Sequence, residues 1–418
     1  MVARLKRLAP IIALLAIVAV VAVSGYVRAQ GRGLDPREEL GQSLYFDEQL
    51  SEPAGQSCAS CHDPEAGLAD PDADLPVSEG AQAAQFGTRN APSAAYAMYS
   101  PVFRSDEGLW RGGLYWDGHA TGESLRDPLA EQARGPLLDP AEMSNPDKAT
   151  VVAKVAASAY AGLFEQVWGE GSLEDVEAAY DRIALSIAAF ERTALFAPFN
   201  SKYDAYLRAC LDRGGTPDDC ATGIGKAAQQ AGHRVLTAQE WQGLQLFVGS
   251  NDNDGILEEG EGAMCGACHA ATWAEPPRHL AVVIPSWSSD GRIPPLFTDF
   301  TYDNLGVPGN SAYPLDPDAA PDIGLGNVVD DPGEHGAFKV PTLRNVALTP
   351  PYAHNGSFET LQEIVHFYST RDDPAAGWAA PEYPDTVSFD ELGNLGLSSA
   401  DEDALVAFMN TLTDGYQP

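Results

Sequence analysis

The pentapeptide Cys-x-x-Cys-His occurs twice, as Cys58-Ala59-Ser60-Cys61-His62 and as Cys265-Gly266-Ala267-Cys268-His269. Two thiols three positions apart suit thioether bonds to the two vinyl groups of a haem, and the adjacent imidazole suits the iron as proximal ligand. Zinc asks instead for four closed ligands with a second, separated pair, and neither motif carries one. The repeat therefore predicts two covalently attached c-type haems. His269 lies 207 residues after His62, so each motif has room to organise its own domain.

The first 29 residues differ from the rest. Arg4, Lys6 and Arg7 precede an apolar run from Leu8 to Val23, and Val27 and Ala29 occupy the −3 and −1 positions of a signal-peptidase site. The same run approaches the ~20 residues that span a bilayer, so an inner-membrane anchor is the rival reading. Both place the remainder outside the cytoplasm, in the periplasm. Cys210 and Cys220 are the two cysteines outside the haem motifs, and they flank the turn-forming Gly214-Gly215-Thr216-Pro217. In an oxidising compartment they are expected to pair. Closing so short a loop contributes ~2–3 kcal/mol.

The formal charge is −35, from 60 acidic and 25 basic residues. Such a surface repels nucleic acid. It suits a salty habitat or a basic redox partner.

The order of elements repeats as well. Asp35-Pro36-Arg37-Glu38 reads as a helix start, with Leu40, Leu44 and Tyr45 forming an apolar face behind it. Thr237-Ala238-Gln239-Glu240 repeats that logic ahead of the second motif, backed by Trp241, Leu244 and Phe247. Between them a long helix is expected after a Ser172 cap, with Val176, Tyr180, Ile183, Ile187 and Phe190 on one face. A last capped helix follows Ser398. Strand signals are few, while Gly and Pro crowd residues 63–115 and 270–340. The expected fold is mainly α: two cytochrome c-like haem domains with long loops, at 30–205 and 236–418, joined by a linker at 206–235 that holds the disulfide.

With both motifs placed, the chain resembles the bacterial di-haem cytochrome c peroxidase and MauG family. The resemblance rests on Trp116-Asp117-Gly118, Glu131-Gln132-Ala133-Arg134-Gly135-Pro136 and Pro140-Ala141-Glu142-Met143 in the first half. In the second half it rests on Phe338 to Val346, reading Phe-Lys-Val-Pro-Thr-Leu-Arg-Asn-Val, and on Pro351-Tyr352-Ala353-His354-Asn355-Gly356. It implies a peroxide-reacting first haem fed by the second, with Trp116 carrying charge between them. It also implies Glu142 as the catalytic acid-base group over the open face of the first haem, beside Gln132 and Pro136. A carboxylate there can move the proton that heterolytic cleavage of peroxide requires. One calcium ion is implied between the domains, held by the Asn90 side chain and the carbonyls of Thr349 and Pro351. An acidic loop from Asn251 to Glu261 has calcium-loop spacing, but Ser250 at its first ligand position is poor.

The chain departs from the peroxidase pattern in several places. No histidine stands between His62 and His119, where peroxidase members place a sixth ligand, and Met98 beside Tyr96 and Tyr99 reads as core. The first haem is therefore expected to be open even when fully oxidised. At the methionine position of the second haem stands Tyr368, the eighteenth residue counting from Pro351, on the face of Leu361, Ile364 and Val365. His366 lies about 200° around that helix and is the poorer candidate. Phenolate favours ferric and higher states, which suits sharing oxidising equivalents more than simple relay. His119 replaces the usual arginine after Trp-Asp-Gly, and six extra residues precede Gln132.

The expectation is a di-haem oxidoreductase acting on hydrogen peroxide. Its electrons come from a small cytochrome c or cupredoxin donor, or it oxidises residues of a partner protein. Trp110, Trp273 and Trp287 are candidate exits for charge. The rival from another class is a pure electron carrier with two six-coordinate haems. Family members are often homodimers.

Overall fold

The computed structural model describes residues 33–249, 262–277, 280, 282–312, 320–389 and 392–417. The leader and the acidic loop from Asn251 to Glu261 fall outside the described residues. No helix among the described residues is long and apolar enough to cross a membrane.

The helices are α1 (Pro36–Tyr45), α2 (Cys58–Cys61), α3 (Pro128–Leu138), α4 (Lys148–Ala157), α5 (Ala161–Trp168), α6 (Val176–Glu191), α7 (Lys202–Leu211), α8 (Pro217–Thr222), α9 (Gly225–Val235), α10 (Ala238–Val248), α11 (Leu325–Val329), α12 (Leu361–Thr370) and α13 (Ser399–Asn410). Two short antiparallel pairs accompany them, β1 (Arg104–Asp106) with β2 (Leu109–Arg111) and β3 (Tyr302–Asp303) with β4 (Phe338–Lys339).

The expected caps form. The Asp35 side chain accepts from Arg37 and Glu38 while Glu38 reaches back, and Thr237 with Glu240 and Ser398 with Asp401 build the same reciprocal box. α6 starts later than its sequence suggests. Its cap is Asp175, whose carboxylate accepts from the Ala178 N–H at 3.1 Å. Ser172 belongs to the turn before it, which begins where Gly169 ends α5 with positive φ.

The duplication reaches the packing. α1 lies across α6, and α10 lies across α13. Six residues past each N-cap sits a glycine: a Cβ on Gly41 would lie 1.9 Å from Ser186 O, and one on Gly243 1.9 Å from Ala404 O. Absence of a side chain lets each helix pair touch backbone to backbone, so alanine at either site would force the pair apart. Leu40, Leu44, Tyr45, Ile183, Ile187 and Phe190 bury together in the first core, and Leu244, Phe247, Leu405 and Phe408 in the second. Each such side chain contributes ~1.5–3 kcal/mol on burial.

The stretch read as a linker is itself helical. Tyr203, Tyr206, Leu207, Ala221, Ala228 and Ala231 of α7, α8 and α9 are buried members of the second core. Cys210 and Cys220 are bonded there, with Cα atoms 5.8 Å apart.

Candidate haem centre

α2 carries the first motif from a Ser57 cap, and a single 3₁₀ turn, Cys265–Ala267, carries the second. The His62 ring donates from Nδ1 to Leu68 O at 3.2 Å, and the His269 ring from Nδ1 to Phe297 O at 3.0 Å. A carbonyl only accepts, so each Nδ1 holds the hydrogen and each Nε2 keeps its lone pair for a metal. Burial lowers both imidazole pKa values against the opposing carbonyl bonds, which keeps the rings neutral. The Tyr45 hydroxyl ties the first motif to α1 by donating to His62 O at 2.7 Å.

One cavity of about 750 Å³ runs past both motifs. At the His62 end it is lined by Glu142, Gln132 and Pro136, and also by His119 and Tyr115. α3 presents Gln132 and Pro136, and the turn after it swings Glu142 back toward His62. Close approach of Gly80 holds that turn: a Cβ there would lie 2.1 Å from Ala141 O, and the Ala81 N–H donates to Glu142 O at 2.7 Å. Burial, with Asp139 adding like charge, raises the Glu142 carboxyl to about 7, against a smaller pull from His119. A carboxyl so poised can take up and return a proton near neutral pH.

At the His269 end the lining includes Cys265, Cys268, Leu361, Ile364, Val365 and Tyr368. The Tyr368 hydroxyl makes no hydrogen bond to a described residue, whereas those of Tyr45, Tyr96, Tyr99, Tyr115, Tyr203 and Tyr206 all do. Burial, and then the neighbouring thiols, push its phenol pKa up, a bias that a cation beside the oxygen would oppose. His366 turns away instead, pairing through Nδ1 with Glu402 at 2.9 Å on a half-exposed side of α12. Met98 is 2% exposed inside the first core and does not line the cavity.

Trp116 lies along the cavity between these ends, its indole N–H donating to Asn90 O at 2.9 Å. The Asn90 amide donates to Pro76 O at 3.2 Å, which leaves its oxygen as the acceptor. Asn90, Thr349 and Pro351 meet at a separate cavity of about 10 Å³ that Asp70 and Asp72 also line. Its oxygen-rich lining suits one hard cation.

Two features escaped the sequence reading. His119 Nδ1 meets Asp117 at 2.6 Å, Asp117 meets Arg89 at 2.7 Å, and Arg89 meets Asp322 at 2.6 Å. Burial would raise Asp117, yet His119 and Arg89 hold it at about 2. Lys339 is half-buried on the cavity wall beside Trp116, with no carboxylate partner among the described residues, donating to Ser100 Oγ at 2.9 Å and Gly113 O at 2.7 Å, and desolvation lowers it to about 7. The histidine was visible as a substitution; its distant partners were not.

The neutral imidazoles, the apolar cavity through both motifs and the unpartnered phenol fit two haems. The class these features define is the di-haem c-type cytochrome. The family model described as di-haem cytochrome c peroxidase matches residues 35–210. The methylamine utilization protein MauG of Paracoccus denitrificans is 35% identical over 410 residues, covering 92% of this chain and 90% of that protein. The cytochrome c551 peroxidase of Nitrosomonas europaea is 29% identical over 331 residues, 78% of this chain and 71% of that one. The solved diheme peroxidase BthA from Burkholderia thailandensis superposes with a TM-score of 0.70 at 31% identity, over 92% of this chain and 87% of that one. The chain belongs to the di-haem cytochrome c peroxidase and MauG family and is an oxidoreductase of that peroxidase type, built around two c-type haems.

Proposed function

We propose that this protein reacts with hydrogen peroxide at the haem on His62 and stores or relays the resulting oxidising equivalents at a second haem ligated by His269 and Tyr368. The observation that carries the reading is one cavity with a carboxyl poised near neutrality at one end and an unpartnered phenol at the other. Haem iron supplies the redox chemistry of peroxide cleavage when bound. Glu142 accepts a proton from one peroxide oxygen and returns it to the other, so that the leaving oxygen departs as water. Gln132 and Pro136 shape the pocket, and Trp116, fixed by Asn90, carries charge between the two ends.

The Tyr368 phenol favours the MauG-like alternative, oxidation of residues on a partner protein, over peroxide removal fed by a small cytochrome or cupredoxin. Calcium in the Asn90, Thr349 and Pro351 cavity would fix the tryptophan. Two c-type haem motifs and a disulfide support a periplasmic site of action, with residues 1–29 as signal or anchor.

Low-temperature EPR with near-infrared absorption tests the reading on the diferric protein, before and after one equivalent of peroxide. One high-spin and one low-spin signal are expected, both lost on addition as a near-infrared band grows. Two low-spin signals indifferent to peroxide would leave a reductively activated peroxidase or an electron carrier.

A further inference from the structure

His119 stands where the family pattern has arginine, and the turn that carries it is closely held. The Leu114 N–H donates to Ala120 O at 3.0 Å across the turn, and Gly118 takes a φ of +80° next to the histidine. Tyr115 is wedged against α3: its hydroxyl donates to Gln132 O at 3.0 Å, and a Cβ on Gly135 would lie 2.2 Å from that oxygen. The His119 imidazole lies flat on this ring, with centroids 3.9 Å apart and planes 14° apart. Its edge is fixed as well, because Asp117 accepts from the His119 N–H at 3.1 Å and meets Nδ1 at 2.6 Å.

Arg89 and His119 keep the Asp117 carboxylate ionised, and an ionised carboxylate only accepts. Nδ1 therefore carries its hydrogen whatever the charge of the ring, and the proton that comes and goes is the one on Nε2. Nε2 makes no hydrogen bond to a described residue. The side chain is 51% exposed, so solvent reaches it. The same ring lines the cavity with Glu142, whose carboxyl likewise makes no hydrogen bond to a described residue. Two couplings bring the groups together: a charge on His119 acts on the Glu142 carboxyl, and Glu142 acts on the Tyr115 phenol beneath the imidazole. Around the pair stand Asp139 beside Glu142, and Arg89 and Asp322 behind Asp117.

The peroxide reaction needs an entry for protons. Glu142 recycles the peroxide's own proton while the first water leaves, and that step draws none from outside. Clearing the second oxygen as water takes two electrons from a donor and two protons from solvent. The sum is H2O2, two electrons and two protons yielding two H2O. Arginine at position 119 would set a fixed charge at the pocket but release no proton near neutral pH. An imidazole exchanges its proton there.

We infer that His119 is the proton relay from solvent to Glu142, loading on Nε2 and discharging across the pocket, with Asp117 and Tyr115 fixing its ring. The inference deepens the peroxide reading above and rests on it.

The holoprotein, His119→Gln and His119→Arg are compared in two regimes. One is a single addition of hydrogen peroxide followed by haem absorption. The other is continuous turnover with a reduced small cytochrome c, raised until the wild-type rate no longer depends on it. Both use dilute bulky buffer, and 2-methylimidazole, whose methyl group hinders binding to iron, is then added as a diffusible substitute. Turnover is expected to slow ~10-fold or more in both variants, the single addition far less, and 2-methylimidazole to restore His119→Gln. Infrared titration of the resting protein gives a readout free of turnover. The carboxyl band that Glu142→Gln removes should titrate at higher pH in His119→Gln, which lacks the charge that lowers it. A wild-type turnover rate in His119→Gln overturns the inference, as does one in His119→Arg, which would assign the position to charge alone. A slow His119→Gln that 2-methylimidazole leaves slow, or a carboxyl band that does not move, overturns it too. In each of these cases the peroxide reading stands. Haem spectra indifferent to peroxide in every protein overturn both.

Discussion

The Arg344 guanidinium lies 2.8 Å from the Asp204 carboxylate, and neither side chain has any exposed surface. Tyr96 and Phe199 of the first core and Tyr203 and Phe297 of the second surround it, with ring centroids between 5.1 and 5.8 Å from its central carbon. The pair is the junction of the two cores. Arg344→Met strands a buried charge on Asp204, a change that typically costs about 3–5 kcal/mol. Urea unfolding of the holoprotein should show that loss, and Arg344→Met with Asp204→Leu should recover part of it. An unchanged midpoint in the single variant would rule out this role.

On the proposed reading, Glu142 should set the pH dependence of the peroxide reaction. Its carboxyl is raised by burial to about 7, so it is neutral below that pH and able to accept a proton only above it. The rate of the haem spectral change in stopped flow should therefore fall as pH drops through about 7. Glu142→Gln should lower it by ~10²–10⁴-fold and flatten the profile. If the variant retains the wild-type slope, the titrating group is another residue.

How much of this was legible follows from how far apart the interacting residues lie. The haem motifs, the caps at Asp35, Thr237 and Ser398, and the placement of Tyr368 rather than His366 toward the cavity were all readable, because each depends on neighbours within a few turns of chain. The Ser172 cap failed locally, since Asp175, three residues further on, accepts from the Ala178 N–H and opens α6 instead. The chain His119–Asp117–Arg89–Asp322 could not be read, because its last link joins residues 233 positions apart. Gly41 and Gly243 look like helix weaknesses in sequence and become contact points only once α6 and α13 are in place. The helices at 206–235 were hidden by turn-rich Gly and Pro that punctuate them without ending the packing.

Tyr368 should control the second haem's potential. Replacing a phenolate with a thioether removes the ligand that favours ferric iron, so Tyr368→Met should raise the potential. A shift on the order of 0.1 V or more is expected, within the ~0.8 V that axial ligands span. Redox titration of the holoprotein reads it, and EPR of Tyr368→Phe should show the low-spin signal altered. Unchanged potential and spectrum in both variants would mean that the phenol is packing alone.

Calcium removal tests whether the small cavity governs communication along the large one. The Asn90 backbone links both: its carbonyl accepts from the Trp116 indole at 2.9 Å, and its N–H donates to His354 O at 2.7 Å. Its side chain lines the cavity that Thr349 and Pro351 complete. A cation bound there would hold the tryptophan by holding Asn90. Chelation should therefore leave the first haem's peroxide reaction near its original rate while slowing the change at the second haem by an order of magnitude. Added calcium should restore it, and Asn90→Ala should reproduce the slow phase without chelator. Stopped-flow spectra resolve the two haems. If chelator changes neither phase and elemental analysis of the purified protein finds no calcium, Trp116 is held by the fold alone.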